Sequence, residues 1–257
     1  MSKNKYIKQL KEIVNDKTSG STEMLLNLLN ILQNFMKQNQ NPIILKSVLE
    51  EIITKQSLFI NLTTVTKKII DNLTNEETIN QIVSSTLLYY EMLYENQANN
   101  IIQQIHKKEI TVFTHSNSSS IKKITENIYK NLKITEIYQT ISFPGYEGKV
   151  QADYFANLGI KTFLINDTNA VEFIKQSDLV LLGSDAYNQS YFVNKAGSYN
   201  ICLIAKHFSK PVFVLSDKNK YKENIERLFE IQKTSKNQYI VNGILEKIPR
   251  NLCKILF

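Results

Sequence analysis

The second half of the chain switches back and forth between two hydrophobic periods, and that alternation leaves few folds open. Short runs rich in Ile, Val, Leu and Phe recur between residues 110 and 216: "ITVFTH", "ITEIYQTI", "KTFLIN", "LVLLGS" and "PVFVLS". Helix-patterned segments separate them at 117–131, 148–158, 168–176 and 198–208. Near-continuous apolar strands alternating with helices predict βαβ units around a mostly parallel sheet covered on both faces. The last stretch, "YIVNGILEKIPRNLCKILF", reads as a strand, a turn interrupted by Pro249 and a short helix carrying Cys253.

The first half shows no strand pattern. "YIKQLKEIV" and "EMLLNLLNILQNFM" place apolar residues three and four apart, on one helical face. "NDKTSGST" reads as a turn around Gly20, and Pro42 suits the first turn of the next helix. "TNEETINQIVSSTLLYYEMLYENQANNIIQQIHKK" opens on a Thr or Asn cap and has early glutamates and late lysines, which suits a long helix with its dipole complemented. The expected fold class is therefore α/β, with a helical domain over 1–107 and a Rossmann-like, mostly parallel α/β domain over 108–257.

Composition narrows the function. The net charge of +7 comes almost wholly from lysine, because Arg227 and Arg250 are the only arginines. Without arginine forks, an anion site must use Lys, hydroxyls and backbone N–H groups. The lysines are scattered rather than clustered, so direct nucleic-acid binding is not expected. No apolar run approaches the roughly 18 residues needed to cross a bilayer, and the amino terminus lacks the apolar segment of a secretion signal; a cytoplasmic protein without membrane contact is expected. Cys202 and Cys253 form no metal or disulfide pattern and read as buried structural thiols. No metal or cofactor is implied.

Ligands of open α/β sheets bind at the carboxyl ends of the strands. These ends read Thr114-His115-Ser116-Asn117-Ser118, Ser142 to Gly148, Asn166-Asp167-Thr168 and Gly183-Ser184-Asp185, followed by Asn194, Lys195 and Gly197 ahead of a helix. The hydroxyls of Ser116 to Ser120 suit an N-cap, an anion cradle at a helix N-terminus, or both. His115 is adjacent to Ser116, and alternation along a strand turns the two to opposite faces, which argues against a Ser–His pair. No assisting base for Ser116 is evident. Asp185 follows an apolar strand and a glycine, an environment that raises a carboxyl pKa and fits it for acid–base work. Lys195 is the well-placed cation. The expected ligand-binding set is Thr114, Ser116, Asn117, Ser118, Asp185, Asn194 and Lys195.

These tips together resemble the translation initiation factor 2B alpha/beta/delta family, which also includes methylthioribose-1-phosphate and ribose-1,5-bisphosphate isomerases. The likeness is carried by "SDLVLLGSDAYNQSYFVNKAGSYNICLIAKHFSKPVFVLSD", "DTNAVEFIKQSD", "FTHSNSSS", "FPGYEGKVQADYFANLGIKT" and, more loosely, "IVNDKTSGSTEML". In the family's isomerases a cysteine of the T-H-C segment works with the aspartate of the G-A-D segment. Here the aspartate is Asp185, but the cysteine position holds Ser116, and the arginine before the family's proline is Phe143. The resemblance so implies the non-catalytic, regulatory branch: a homodimer with a vestigial pocket for a phosphorylated small molecule, a sugar phosphate or nucleotide, and initiation factor 2, through its alpha subunit, as a partner. It leaves as the alternative an aldose–ketose isomerase of a phosphorylated ribose, with Asp185 and Ser116 catalytic. The apolar end, "ILEKIPRNLCKILF", adds a reason to expect a dimer interface.

Overall fold

The computed structural model describes residues 3–16, 19–36, 42–57, 59–225 and 228–257; Arg227 and part of the turn around Gly20 lie outside them. Two compact units divide at residues 95 and 96, Met1–Glu95 and Asn96–Phe257. The helical pattern itself ends at Gln104 and the first strand begins at Glu109.

In the first unit the helices are α1 (Lys3–Asn15), α2 (Ser21–Met36), α3 (Pro42–Lys55), α4 (Ile60–Ile70) and the start of α5 (Glu76–Gln104). Pro42 opens α3 as expected, since a first-turn residue has no helical partner for its nitrogen. Asn75 caps α5 by accepting from Thr78 N at 3.0 Å. The expected lysines at the end of α5 fall beyond the helix, whose last turn carries no basic residue. Buried Gln56 donates to the carbonyls of Ile13 and Asp16 at 3.0 Å, supplying partners at the end of α1 that the helix cannot make for itself.

The second unit follows the alternating pattern: β1 (Glu109–Thr114), α6 (Ser119–Asn131), β2 (Lys133–Thr140), α7 (Gly148–Asn157), β3 (Lys161–Ile165), α8 (Ala170–Gln176), β4 (Leu179–Gly183), the short pair β5 (Ala186–Tyr187) and β6 (Tyr191–Lys195), α9 (Ser198–His207) and β7 (Val212–Leu215). Then come the hairpin β8 (Glu230–Ser235) and β9 (Gln238–Asn242), β10 (Leu245–Pro249) and β11 (Lys254–Leu256). One six-stranded sheet runs β11-β7-β4-β1-β2-β3, and every pairing in it is parallel. All five residues of β4 and all four of β7 are buried, as strands covered on both faces must be. Phe113, Val180, Val214, Ile174, Ile201 and Cys202 pack one face of the sheet against α8 and α9. Burying each large side chain contributes about 1.5–3 kcal/mol.

"YFVNK", which carries Asn194 and Lys195 ahead of α9, is strand β6, paired antiparallel with β10 and β5. One sequence expectation is corrected. The expected terminal helix is instead a short 3₁₀ turn, Arg250–Leu252, followed by β11, which pairs with β7. Ile248 and Leu256 are therefore buried within the chain itself, while Ile244 and Phe257 of the same apolar end stay exposed.

Candidate functional site

The order β4-β1-β2 sets three strand tips side by side, and β6 delivers Asn194 and Lys195 beside them. After Thr114 the chain leaves the sheet, and Ser116 takes a left-handed backbone with φ 68°. A residue with a Cβ pays about 1–2 kcal/mol for that conformation, and such strain gathers where surrounding contacts enforce it. The contacts are visible. Ser116 N donates to Ser142 Oγ at 2.8 Å, and Ser116 O accepts from Gln139 Nε2 at 3.0 Å. Gln151 Oε1 accepts from Ser118 N at 2.7 Å, while its Nε2 donates to Gln139 Oε1 at 2.8 Å. Two buried amides from β2 and α7 thus hold the turn that leads into α6.

The expectation that Ser116 lacks a nearby base is corrected by this geometry. Ser116 Oγ donates to Glu147 Oε1 at 2.9 Å. The same carboxylate oxygen lies 2.8 Å from Lys195 Nζ, with the two side chains only 12% and 5% exposed. Glu147 occupies the residue before α7, where the helix dipole favours a negative charge. Gly148 lets that turn close: a Cβ there would lie 1.9 Å from the carbonyl oxygen of Thr140. Ser142 and Tyr146 in the same segment also have left-handed φ, 64° and 57°.

The other expected site residues gather around this triad to different degrees. Ser118 caps α6, its hydroxyl accepting from Ile121 N at 3.4 Å. The buried Oδ1 of Asn117 has no hydrogen-bond partner. A Cβ on Gly183 would meet Ser118 Oγ at 3.1 Å and Asn194 Oδ1 at 3.7 Å, so the bare glycine lets both side chains close over the tip of β4. Asn194 itself donates to Ser198 Oγ at 2.8 Å at the start of α9. Thr114 has no exposed surface and accepts from Gln151 at 3.4 Å, which places it beneath the site. Asp185 is part-buried, and desolvation pushes its carboxyl above the ordinary range while the Lys220 ammonium pulls the other way. Lys220 is buried and donates to Ser184 O at 2.7 Å.

His115 faces its own surroundings. Its Nε2 donates to Ala196 O at 2.9 Å, which leaves Nδ1 to accept from Thr140 Oγ1 at 2.6 Å. Burial lowers its pKa and keeps the ring neutral. This is a packing role at the strand end, with Asp167 3.7 Å from Nδ1. A cavity of about 450 Å³ lies on this side, lined by His115, Thr140, Asp167, Asn200, Leu203 and Ile204 among others. Among the described residues no cluster of His, Cys, Asp and Glu could hold a metal, and no helix is long and apolar enough to cross a membrane.

Sequence reasoning missed Glu147, Gln139, Gln151 and Lys220. A carboxylate between two glycines at a strand tip was the one available signal for Glu147. The glutamines and Lys220 carry no local mark, because their roles come from strand order.

Comparison with known proteins agrees with this architecture. A ribose 1,5-bisphosphate isomerase of Methanocaldococcus jannaschii is 27% identical over 200 residues, covering 74% of this chain and 63% of that protein. One from Archaeoglobus fulgidus is 31% identical over 125 residues, covering 47% and 40%. The chain thus spans less than two thirds of the length of these curated relatives. The crystal structure of translation initiation factor eIF-2B from Pyrococcus horikoshii OT3 shares the fold at a TM-score of 0.78 and 19% identity, covering 98% of this chain and 94% of that one. The Initiation factor 2 subunit family matches residues 3–247, and the chain belongs to that family.

Proposed function

We propose that this protein is a ligand-binding, regulatory-type member of its family. On this reading it does not isomerise sugars, and it holds a phosphorylated small molecule at the tips of β1, β4 and β6. The observation that carries the reading is the Ser116–Glu147–Lys195 triad. A serine hydroxyl stands where a catalytic thiol is expected, and the carboxylate that could assist it is already neutralised by a buried lysine. The carboxylate beside Ser116 is occupied by the Lys195 ammonium, and a serine without a free base is neither a nucleophile nor an acid at neutral pH. The ligand's phosphate would lie at the start of α6, where backbone N–H groups and the dipole favour an anion. Its hydroxyls would meet Ser116, Asn117, Asp185 and Asn194. The reading includes a homodimer through the α/β unit, supported by exposed Val171 on α8 and Leu203 on α9, and initiation factor 2 as the protein partner.

A second reading, an aldose–ketose isomerase of a phosphorylated ribose, is favoured by two observations. Asp185 has a raised carboxyl pKa, and Ser116 does have a carboxylate neighbour. The curated relatives named as ribose 1,5-bisphosphate isomerases point the same way. A coupled isomerase assay with ribose 1,5-bisphosphate and methylthioribose 1-phosphate separates the two. No turnover by the wild type, with activity appearing in Ser116→Cys, supports the binding reading; substantial wild-type turnover establishes the isomerase instead. Light scattering that gives a monomer mass at micromolar concentration removes the dimer.

A further inference from the structure

The Lys195 ammonium is the cation that a phosphate would seek in this site, yet it already holds an anion supplied by the chain. Glu147 Oε1 stands 2.8 Å from Nζ and also receives the Ser116 hydroxyl at 2.9 Å. Both charged side chains are nearly shielded from water, at 5% and 12% exposure. The carboxylate is also carried on a turn fixed from several directions. Asp167 accepts from Ser142 N at 3.1 Å and from Phe143 N at 2.8 Å, and Gly148 packs against the Thr140 carbonyl. A tethered counter-ion of this kind acts at high effective concentration against any free anion. A phosphate brought to the same ammonium would also face the carboxylate at close range, a repulsive element of the sort that sets specificity.

What the rest of the triad's surroundings offer is hydrogen bonding without net positive charge. Asn117 Oδ1 is buried and unpartnered, and at the neighbouring strand tip the Asp185 carboxyl is offset by the buried Lys220 ammonium, which donates to Ser184 O at 2.7 Å. We infer that Glu147 is a specificity-determining residue: the ligand end lying against Ser116 and Lys195 is uncharged and hydroxyl-bearing, and a phosphate is refused there. The ligand class is then a sugar or polyol carrying one phosphate, held at its far end, rather than a bisphosphate. This inference rests on the proposed sugar-phosphate pocket but is tested separately from it.

The test is calorimetric titration at low salt of inorganic phosphate into the wild type, Lys195→Ala, Glu147→Gln and the double variant. Glu147→Gln keeps the shape of the side chain and a hydrogen-bond acceptor for Ser116 while removing the charge. We expect Lys195→Ala to leave phosphate affinity within twofold of the wild type. Glu147→Gln should bind phosphate at least tenfold more tightly, and the gain should vanish in the double variant. An unchanged affinity in Glu147→Gln, or a tenfold loss in Lys195→Ala alone, overturns the inference. The wild type supplies a second arm that needs no variant to fold: ribose 5-phosphate should bind at least tenfold more tightly than ribose 1,5-bisphosphate, and equal or reversed affinities also overturn it. If neither sugar binds the wild type but Glu147→Gln gains Lys195-dependent phosphate binding, the pocket's proposed ligand is wrong and the role of Glu147 stands.

Discussion

Ser116 Oγ donates to Glu147 Oε1 at 2.9 Å, joining the tip of β1 to the turn before α7 across 31 residues of sequence. The same carboxylate is neutralised by Lys195 from β6. Three segments far apart in the chain are therefore tied at one oxygen, and the energetics of the site depend on that oxygen.

Breaking this pair from either side should be costly. Removing one partner of a buried ion pair leaves the other charge uncompensated, at about 3–5 kcal/mol. Lys195→Met is expected to fall in that range in urea denaturation. The double variant Glu147→Gln/Lys195→Met should cost at least about 1 kcal/mol less than the sum of the two single changes, the coupling expected of residues in direct contact. Additive effects would show that the two charges are independently solvated.

Asp185 should limit stability at neutral pH. Its folded pKa is raised by burial above the ordinary carboxyl value, so the native state keeps its proton in a window where the unfolded chain has lost it. The associated stability is full below the unfolded value of about 3.9 and is lost as pH rises through the folded pKa, at up to about 1.4 kcal/mol per pH unit. Asp185→Asn removes that titration. The variant should gain on the wild type between pH 4 and pH 8, read from urea midpoints, because desolvation outweighs the attraction of Lys220. A constant difference across that range would mean that the carboxyl is well solvated.

Gly148→Ala should disrupt the turn that carries Glu147. The added methyl would lie 1.9 Å from the Thr140 carbonyl and 2.9 Å from both Gln139 Nε2 and Ser142 Oγ, so backbone must move. Overpacking of this kind costs about 1–3 kcal/mol or more. We expect a loss of that size in thermal or urea unfolding, and a change in any ligand affinity measured for the site. Wild-type stability would show that the turn can shift without strain.

Neither cysteine should react in the native protein. Cys202 is fully buried, and desolvation drives its thiol pKa far upward. Cys253 is part-buried, with its thiol pushed up to about 12 by the same cause. The thiolate is the reactive form, so a thiol reagent at pH 8 should label neither site until denaturant is added, and then both. Rapid native labelling of Cys253 would place it at an open surface.

What the sequence determined by itself is the part of this protein governed by local period. The runs ending at Thr114, Thr140, Ile165, Gly183 and Leu215 are legible as strands because each is short, apolar and bounded by turn residues. The helix starts at Pro42 and after Asn75 are legible because they depend on neighbours within one turn. The terminal β11 reads as a helix in the sequence because a short apolar run has no period that separates the two, and pairing with β7 decides it. Tertiary structure alone decided the contacts within the site. The alternation rule applies only while the backbone is extended, and Ser116 has already left the strand at φ 68°. Its orientation toward Glu147, and the capture of Lys195 by that carboxylate, follow from strand order and turn closure. A charge pair is a matter of distance in space, and nothing in the spacing of residues 116, 147 and 195 along the chain encodes it.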